Sequence, residues 1–259
     1  MELTTVTQRV QNVPWMSPHQ GAIIYRHIRE TAPGLVLELG TAHGASAAYV
    51  AAALQENGKG RLVTVDRAGA GYEPRALLAE LGLLDYVDLV VREDSSYDWY
   101  LKEQIEQRSD ADGNCDPVFD FCYLDGAHNW TIDGLAVFLV EKLLRPGAWL
   151  LLDDLEWSYG SSPSGAPEPF PLSEPERREP HMRAVFDLLV RQHPSFTQFR
   201  VEDGNWGWAQ KAPGESRRYE VTTSRTVGGT LASAGWKLAR WGMTLVGGRR
   251  RRAGSKRGA

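Results

Sequence analysis

The chain has 259 residues, of which 42% are hydrophobic, and its formal net charge at pH 7 is -4. That length and composition are enough for one α/β domain with a sizeable core. No run of about 18 apolar residues occurs, and no basic patch precedes an apolar stretch at the start, so neither membrane spanning nor secretion is expected, and the predicted location is cytoplasmic. Cys115 and Cys122 match neither a disulfide framework nor a zinc motif.

Charge is unevenly distributed along the chain. From Pro213 onward eleven Lys or Arg stand against two Glu, so residues 1–212 carry a net charge of -13. We therefore expect residues 1–212 to form the domain, with no affinity for nucleic acid, and residues 213–259 to form a flexible basic tail. The apolar spacing from Leu231 to Leu245 is typical of a helix lying on an anionic membrane surface, and a solubilising, disordered tail is the alternative.

Strand and helix patterns alternate after an opening helix, which begins at Ser17-Pro18 and stops at Pro33-Gly34. Short β-branched or aromatic runs predict strands at 35–39, 61–65, 86–91, 118–124, 148–152, 197–201 and 206–211. Segments with helical spacing predict helices at 45–55, 74–83, 97–107, 131–144 and 181–192.

This alternation predicts a doubly wound, mostly parallel α/β sheet with an antiparallel edge formed by the last two strands. Ligands of such sheets bind at the carboxyl ends of the strands. Residues 158–180 are rich in Pro, Gly and Ser, which predicts a long mobile loop without packed elements directly after the fifth strand.

The strongest motif follows the first strand. Glu38, Gly40 and Gly44 have the spacing Glu-x-Gly-x-x-x-Gly and run into an alanine-rich helix. Glycines let a turn approach a ligand closely, and a helix N-terminus favours polar ligand groups. Asp66 ends the second strand, where a carboxylate can accept hydrogen bonds from both hydroxyls of a ribose. A glycine-rich loop followed by this acid predicts a nucleoside ligand.

These residues resemble the class I S-adenosylmethionine-dependent methyltransferases over residues 15–212. The resemblance implies a Rossmann-like methyltransferase fold and S-adenosyl-L-methionine as cofactor, with Asp66 on the ribose and Asp94 and Ser95 beside the adenine. The cofactor-binding residues that it implies are Glu38, Gly40, Thr41, Gly44, Ser46, Asp66, Asp94, Ser95 and Asp125. Taken singly, Glu38 could instead brace a loop, and Asp94 or Ser95 could cap a helix.

Three carboxylates form a second constellation. Asp125 follows the fourth strand, and Asp153 and Asp154 follow the fifth, so all three converge at one edge of the cofactor cleft. Like charges so close repel unless a positive charge lies between them, and oxygen ligands favour Mg²⁺. The sequence therefore predicts a metal site at Asp125, Asp153 and Asp154.

This arrangement resembles the divalent-metal-dependent O-methyltransferases of the catechol and macrolide-sugar types. The catechol type has Asn where this chain has Asp154, and a lysine base where this chain has His128. The sugar type is the closer match because it uses Asp-Gly-x-His with histidine as base. His128 is therefore the predicted catalytic base, since an ordinary imidazole pKa near 6.5 suits proton abstraction.

The resulting hypothesis is an O-methyltransferase (EC 2.1.1.-) acting on a hydroxyl of a sugar or small natural product, assisted by Mg²⁺. Two alternatives stay open: metal-independent methylation of a small amine or carboxylate, and a non-catalytic cofactor-binding partner subunit. Asp153 and Asp154 could merely cap a loop, and His128 could merely brace a helix. The expected partner is a small-molecule or glycosyl acceptor; peripheral contact with an anionic membrane and a homo-oligomer are left open.

Overall fold

The computed structural model describes residues 1–67, 69, 71–93, 96–162, 168–214, 218, 220 and 221. The chain divides into two compact units, Met1–Tyr219 and Glu220–Ala259. The second unit holds the apolar spacing 231–245 of the basic tail, which lies outside the described residues.

One mixed sheet organises the first unit, and its strand order is β3-β2-β1-β4-β5-β7-β6. Strands β1 to β5 pair in parallel, whereas β7 pairs antiparallel with both β5 and β6. The strands are β1 (Leu35–Leu39), β2 (Arg61–Arg67), β3 (Val87–Arg92), β4 (Phe119–Leu124), β5 (Leu144–Leu152), β6 (Phe196–Glu202) and β7 (Trp206–Lys211). The predicted doubly wound sheet with an antiparallel edge is confirmed.

Helices cover the two faces of the sheet. They are α1 (Leu3–Val10), α2 (Pro18–Thr31), α3 (Ala45–Asn57), α4 (Pro74–Glu80), α5 (Tyr97–Arg108), α6 (Trp130–Leu143), α7 (Glu174–Arg178) and α8 (His181–Ala184). Each of β1, β2, β3 and β4 is followed by a helix that returns the chain to start the next parallel strand. Buried side chains form one cluster around α2 and α3 and another around α5 and α6.

Local signals explain where the opening helix begins and ends. The Ser17 side chain accepts a hydrogen bond from the backbone of Gln20, whose side chain accepts one in return, which satisfies free amides at the start of α2. The helix ends at Ala32, which adopts a left-handed conformation immediately before Pro33. The predicted start and stop are both confirmed.

Several boundaries differ from the prediction. Helix α1 was not predicted, and β5 begins at Leu144, four residues before the predicted strand 148–152 and within the predicted helix 131–144. The predicted helix 181–192 consists of α8 and a π-helix at Val185–Val190.

The segment after β5 also departs from the prediction of a loop without packed elements. It contains a 3₁₀ turn at Tyr159–Ser161 and helix α7, because Ser158 and Ser173 each form a capping box with the residue three positions on. Residues 163–167 lie outside the described part of the chain, and the mobility of the segment stays a prediction.

The topology brings four strand ends to one edge of the sheet. The carboxyl ends of β2, β1, β4 and β5 are neighbours, so the residues that follow these strands surround one cleft. No helix within the described residues is long and apolar enough to cross a membrane.

Candidate functional site

The loop between β1 and α3 forms one wall of the cleft. Gly40 has φ +102°, and a Cβ there would lie 1.8 Å from the carbonyl oxygen of Asp125, so no other residue fits without moving the backbone. Gly44, with φ +84°, is the N-cap of α3. The loop therefore packs directly against the end of β4 at Gly40, and contact of both glycines with a cofactor stays a prediction.

Asp66 braces this loop. Its Oδ2 accepts hydrogen bonds from the backbone N–H groups of Thr41 (2.8 Å) and Ala42 (2.7 Å), and its Oδ1 accepts one from Arg67 (2.7 Å). A carboxylate offers about four acceptor positions, so at least one is left for a ligand hydroxyl. The observed loop contacts therefore leave room for one ribose hydroxyl, and the predicted contact with both hydroxyls stays a prediction.

Glu38 is fully buried at the end of β1. Burial raises the pKa of its carboxyl to about 8, although the Thr64 hydroxyl opposes the shift, and the nearby charges of Asp125 and Asp66 add to it. The carboxyl is therefore largely protonated at neutral pH. Its Oε1 makes no hydrogen bond to the described part of the protein. A buried polar atom of this kind fits a site that binds a polar ligand group.

The remaining predicted cofactor residues divide into two groups. Thr41 and Ser46 are buried in the loop and in the first turn of α3, beside Glu38. Asp94 and Ser95, the predicted adenine contacts, lie outside the described residues.

On the other side of the cleft, His128 lies between two carboxylates. Its Nε2 is 3.2 Å from Asp125 Oδ1 and 3.1 Å from Asp154 Oδ2. The donor atoms of these three residues all lie within 4.8 Å of one another, a spacing compatible with a metal ion. The structure therefore brings together His128 and two of the three predicted metal ligands.

The contact between His128 and the two carboxylates shifts the pKa values of His128 and Asp154. Burial lowers the pKa of His128, but the hydrogen bonds and charges of Asp125 and Asp154 outweigh burial and hold that pKa well above its ordinary value. Burial raises the pKa of Asp154, yet the hydrogen bond and charge of His128 bring it below its ordinary value. The sequence suggested an ordinary imidazole pKa for His128. That expectation is wrong for the site without a bound cation, where the pKa of His128 is raised.

Asp153, the third predicted ligand, makes different contacts. Its Oδ1 accepts hydrogen bonds from Trp206 Nε1 (2.6 Å) and from the backbone N–H of Asp154 (2.6 Å), and the Tyr123 hydroxyl donates to its Oδ2. Burial, followed by the charges of Asp125 and Asp154, raises the pKa of Asp153 well above its ordinary value. The geometry thus favours Asp125 and Asp154, which both contact His128, over Asp153 as direct metal ligands.

Buried polar side chains hold the loop that carries His128. The Tyr97 hydroxyl donates to Asp133 and accepts from the backbone N–H of Ala127 (3.1 Å), and Asp133 Oδ2 accepts from the backbone N–H of Asn129 (2.6 Å). His128 has φ 52°, a conformation that costs about 1–3 kcal/mol and persists only where its surroundings impose it. This network imposes it.

Sequence reasoning missed Tyr97, Tyr123 and Asp133. Tyr123 precedes Asp125 by two positions and so lies on the same face of β4, which was a usable signal. Tyr97 and Asp133 meet only in three dimensions and left no such signal. Among the aromatic residues near the site, Trp157 lies 5.0 Å from His128 between ring centroids, whereas Trp130 is 39% exposed.

Comparison with known families shows which proteins this domain is similar to. Residues 37–155 match the family model described as a methyltransferase domain. This match supports the recognised resemblance to the class I S-adenosylmethionine-dependent methyltransferases.

Two sets of individual proteins are similar to the chain. The rhamnosyl O-methyltransferase of Mycobacterium bovis (strain BCG / Pasteur 1173P2) is 30% identical over 128 residues, which cover 49% of this chain and 48% of that relative. The same values hold for the rhamnosyl O-methyltransferase of Mycobacterium tuberculosis (strain ATCC 25618 / H37Rv). The chain spans about half the length of these curated relatives.

Solved structures show the same fold. The O-methyltransferase from Bacillus cereus in complex with SAH has a TM-score of 0.54 at 22% identity, covering 81% of this chain and 90% of that chain. The O-methyltransferase TomG from Streptomyces achromogenes in complex with SAM has a TM-score of 0.54 at 21% identity, covering 81% and 89%.

Replacing Asp66 tests the cofactor side of the cleft. Asp66→Ala should weaken binding of S-adenosylhomocysteine about 5- to 150-fold, because a loop brace and a ribose acceptor worth about 1–3 kcal/mol are both removed. Isothermal titration calorimetry measures the affinity. The matched control is Asp85→Ala, because Asp85 is exposed and precedes β3, at the opposite edge of the sheet from the cleft. Equal affinity for Asp66→Ala and Asp85→Ala would show that the cofactor binds elsewhere.

The raised pKa of His128 predicts a pH-dependent contribution to stability when cations are chelated. A raised pKa contributes stability that is fully present below the unfolded pKa of about 6.5 and is lost as pH rises through the folded pKa. The difference in unfolding free energy between the wild type and His128→Gln should therefore shrink above pH 6.5, by at most about 1.4 kcal/mol per pH unit. Urea denaturation in EDTA measures it, and a pH-independent difference would contradict the protonated His128.

Proposed function

We propose that the chain is an S-adenosylmethionine-dependent O-methyltransferase that methylates a hydroxyl of a sugar-bearing acceptor with the help of a divalent cation. The observation that carries this proposal is His128 between Asp125 and Asp154, with their donor atoms within 4.8 Å of one another. This group adjoins the cofactor loop, because Gly40 packs against the carbonyl oxygen of Asp125. In this proposal the acceptor hydroxyl and the methyl donor therefore bind in the same cleft.

The donor set supports a hard cation such as Mg²⁺ held by Asp125 and Asp154. Both are carboxylates at neighbouring strand ends, and oxygen ligands are what Mg²⁺ prefers. When bound, such a cation lowers the pKa of an acceptor hydroxyl and orients it. Asp153 keeps Asp154 in place, because its side chain accepts the backbone N–H of Asp154.

His128 is the base in this proposal. Its Nε2 faces the space between the two carboxylates, where it removes the proton of the acceptor hydroxyl. A second positive charge between the same carboxylates would favour loss of the proton that His128 carries in the metal-free site, which leaves a neutral imidazole able to act as base. The remaining contribution of the protein is to align the hydroxyl oxygen with the methyl group.

Two observations support a glycosyl acceptor, namely the proteins to which this chain is similar and the aromatic side chains beside His128. Rhamnosyl O-methyltransferases are similar to half of this chain. Beside His128, Trp157 and Tyr159 pack with ring centroids 4.9 Å apart, and Trp157 is only partly buried, so its ring can face a sugar.

Asp154→Asn tests the cation. Methyl transfer from labelled S-adenosylmethionine to methyl rhamnoside should stop in EDTA and return with Mg²⁺ for the wild type, whereas Asp154→Asn should stay inactive at the same Mg²⁺ concentrations. Its affinity for S-adenosylhomocysteine should be unchanged, because Glu38 and Asp66 lie at other strand ends. Asp187→Asn, which removes a carboxylate paired with Arg191 on the surface, is the control. Full wild-type activity in EDTA would favour metal-independent transfer, and no turnover of any acceptor would favour a non-catalytic partner subunit.

His128→Ala separates the base from a ligand. Turnover should fall by about 10² to 10⁴, the usual contribution of a positioned general base. Mn²⁺ binding, followed by electron paramagnetic resonance, should persist because two carboxylates remain. The residual activity should lose the acidic limb of its pH profile, which reports protonation of the base. If Mn²⁺ binding disappears instead, His128 is a ligand and the assignment of base is wrong.

A further inference from the structure

Helix α6 begins two residues after His128. Each of its first three backbone N–H groups donates a hydrogen bond to a side-chain acceptor. Asn129 is the N-cap, and its Oδ1 accepts from the N–H groups of Thr131 (2.9 Å) and Ile132 (3.3 Å). The N–H of Trp130 donates to Nδ1 of His181 at 3.1 Å. His181 therefore completes the cap from a part of the chain 51 positions away.

The other ring nitrogen of His181 faces helix α7. Its Nε2 lies 2.8 Å from the carbonyl oxygen of Glu176, which can only accept, so Nε2 carries the hydrogen and Nδ1 is free to accept from Trp130. The ring is buried, and both of its nitrogens are used. His181 thus joins the segment after β5 to the first residue of α6.

A second link from the same segment meets the loop on the other side of His128. The Tyr159 hydroxyl donates to the carbonyl oxygen of Ala127 at 2.8 Å, and the Tyr159 and His181 rings pack with centroids 5.4 Å apart. His128, in its left-handed conformation, is therefore held between one contact at Ala127 and another at Trp130.

We propose that His181 is a positioning residue for His128. It sets the position of Trp130, and through two intervening peptide bonds it sets the direction of the His128 imidazole between Asp125 and Asp154. The inference rests on the proposed function, since it concerns the base of that reaction. A displacement of about 1 Å in a reacting group can cost about 10²-fold in rate, so this link is large enough to matter.

Three replacements of His181 distinguish the roles of its two ring nitrogens. An asparagine oxygen can take the place of Nδ1, and a glutamine amide can take the place of Nε2. His181→Ala should lower kcat about 10- to 100-fold with unchanged affinity for S-adenosylhomocysteine. His181→Asn should recover most of that loss because the Trp130 N–H regains an acceptor, whereas His181→Gln should not.

Leu172→Ala is the matched control. Leu172 and His181 both line a cavity of about 170 Å³ beside the start of α6. The control therefore perturbs the same cavity while the bond to Trp130 stays intact, and its kcat should equal that of the wild type. Equal kcat losses in His181→Asn and His181→Gln, or kcat losses that track the fall in melting temperature across all four variants, would overturn the proposal.

Amide hydrogen exchange tests the link without any turnover. Exchange at residues 127–132 should accelerate in His181→Ala and His181→Gln, and should stay at the wild-type rate in His181→Asn and Leu172→Ala. If the wild type methylates no acceptor, the proposed function fails while these exchange rates still decide whether His181 holds the loop. Unchanged exchange in His181→Ala would refute the positioning role even in an active enzyme.

Discussion

Repulsion among three carboxylates at the ends of β4 and β5 is the constraint on which the rest of the site depends. Asp125, Asp153 and Asp154 lie close together in partly or fully buried positions, where like charges interact strongly. The protein resolves this in two ways. Asp153 accepts hydrogen bonds from Trp206, Tyr123 and the backbone of Asp154, which stabilise its charge, whereas Asp125 and Asp154 both contact the ring of His128.

The different contacts of Asp153 and of the pair Asp125 and Asp154 determine what the site can do. A protonated histidine between two carboxylates occupies the position in which a divalent cation would be most favourable, so proton and cation compete for the same pair of charges. The backbone conformations at His128 and Asp154, with φ 52° and 57°, place both side chains toward this space. Such strain persists only where the surroundings impose it. The buried contacts of Tyr97, Asp133 and His181 do so at His128, and the hydrogen bonds with Asp153 and Asn205 do so at Asp154.

Much of the fold was predictable because local signals agreed with the global arrangement. Strand β1 matches its predicted bounds, since a run that is apolar except for Glu38 lies between Pro33-Gly34 and Gly40. The cleft was predictable for the same reason, because parallel strands end at one edge. Helix α1 was missed, and the capping serines inside 158–180 were overlooked among the Pro and Gly residues that surround them.

The roles within the acidic group could not be read from sequence. Asp153 and Asp154 are neighbours, and which of them faces His128 depends on the left-handed turn at Asp154 and on Trp206 and Asn205, which β7 brings close from far along the chain. The protonation of His128 depends in the same way on distances that spacing alone does not give. Spacing therefore placed the candidate residues at one edge of the sheet, and which of them contact one another depends on three-dimensional packing.

In the proposed reaction, Asp125 and Asp154 hold a divalent cation beside the cofactor loop. The most direct measurement is anomalous diffraction, at the manganese edge, from crystals of the full chain grown with Mn²⁺ and S-adenosylhomocysteine. We expect a single strong anomalous peak within coordination distance of an Asp125 and an Asp154 carboxylate oxygen, with Asp153 still bonded to Trp206. A cofactor-bound crystal with no peak there, or with a peak on Asp153 alone, would contradict it.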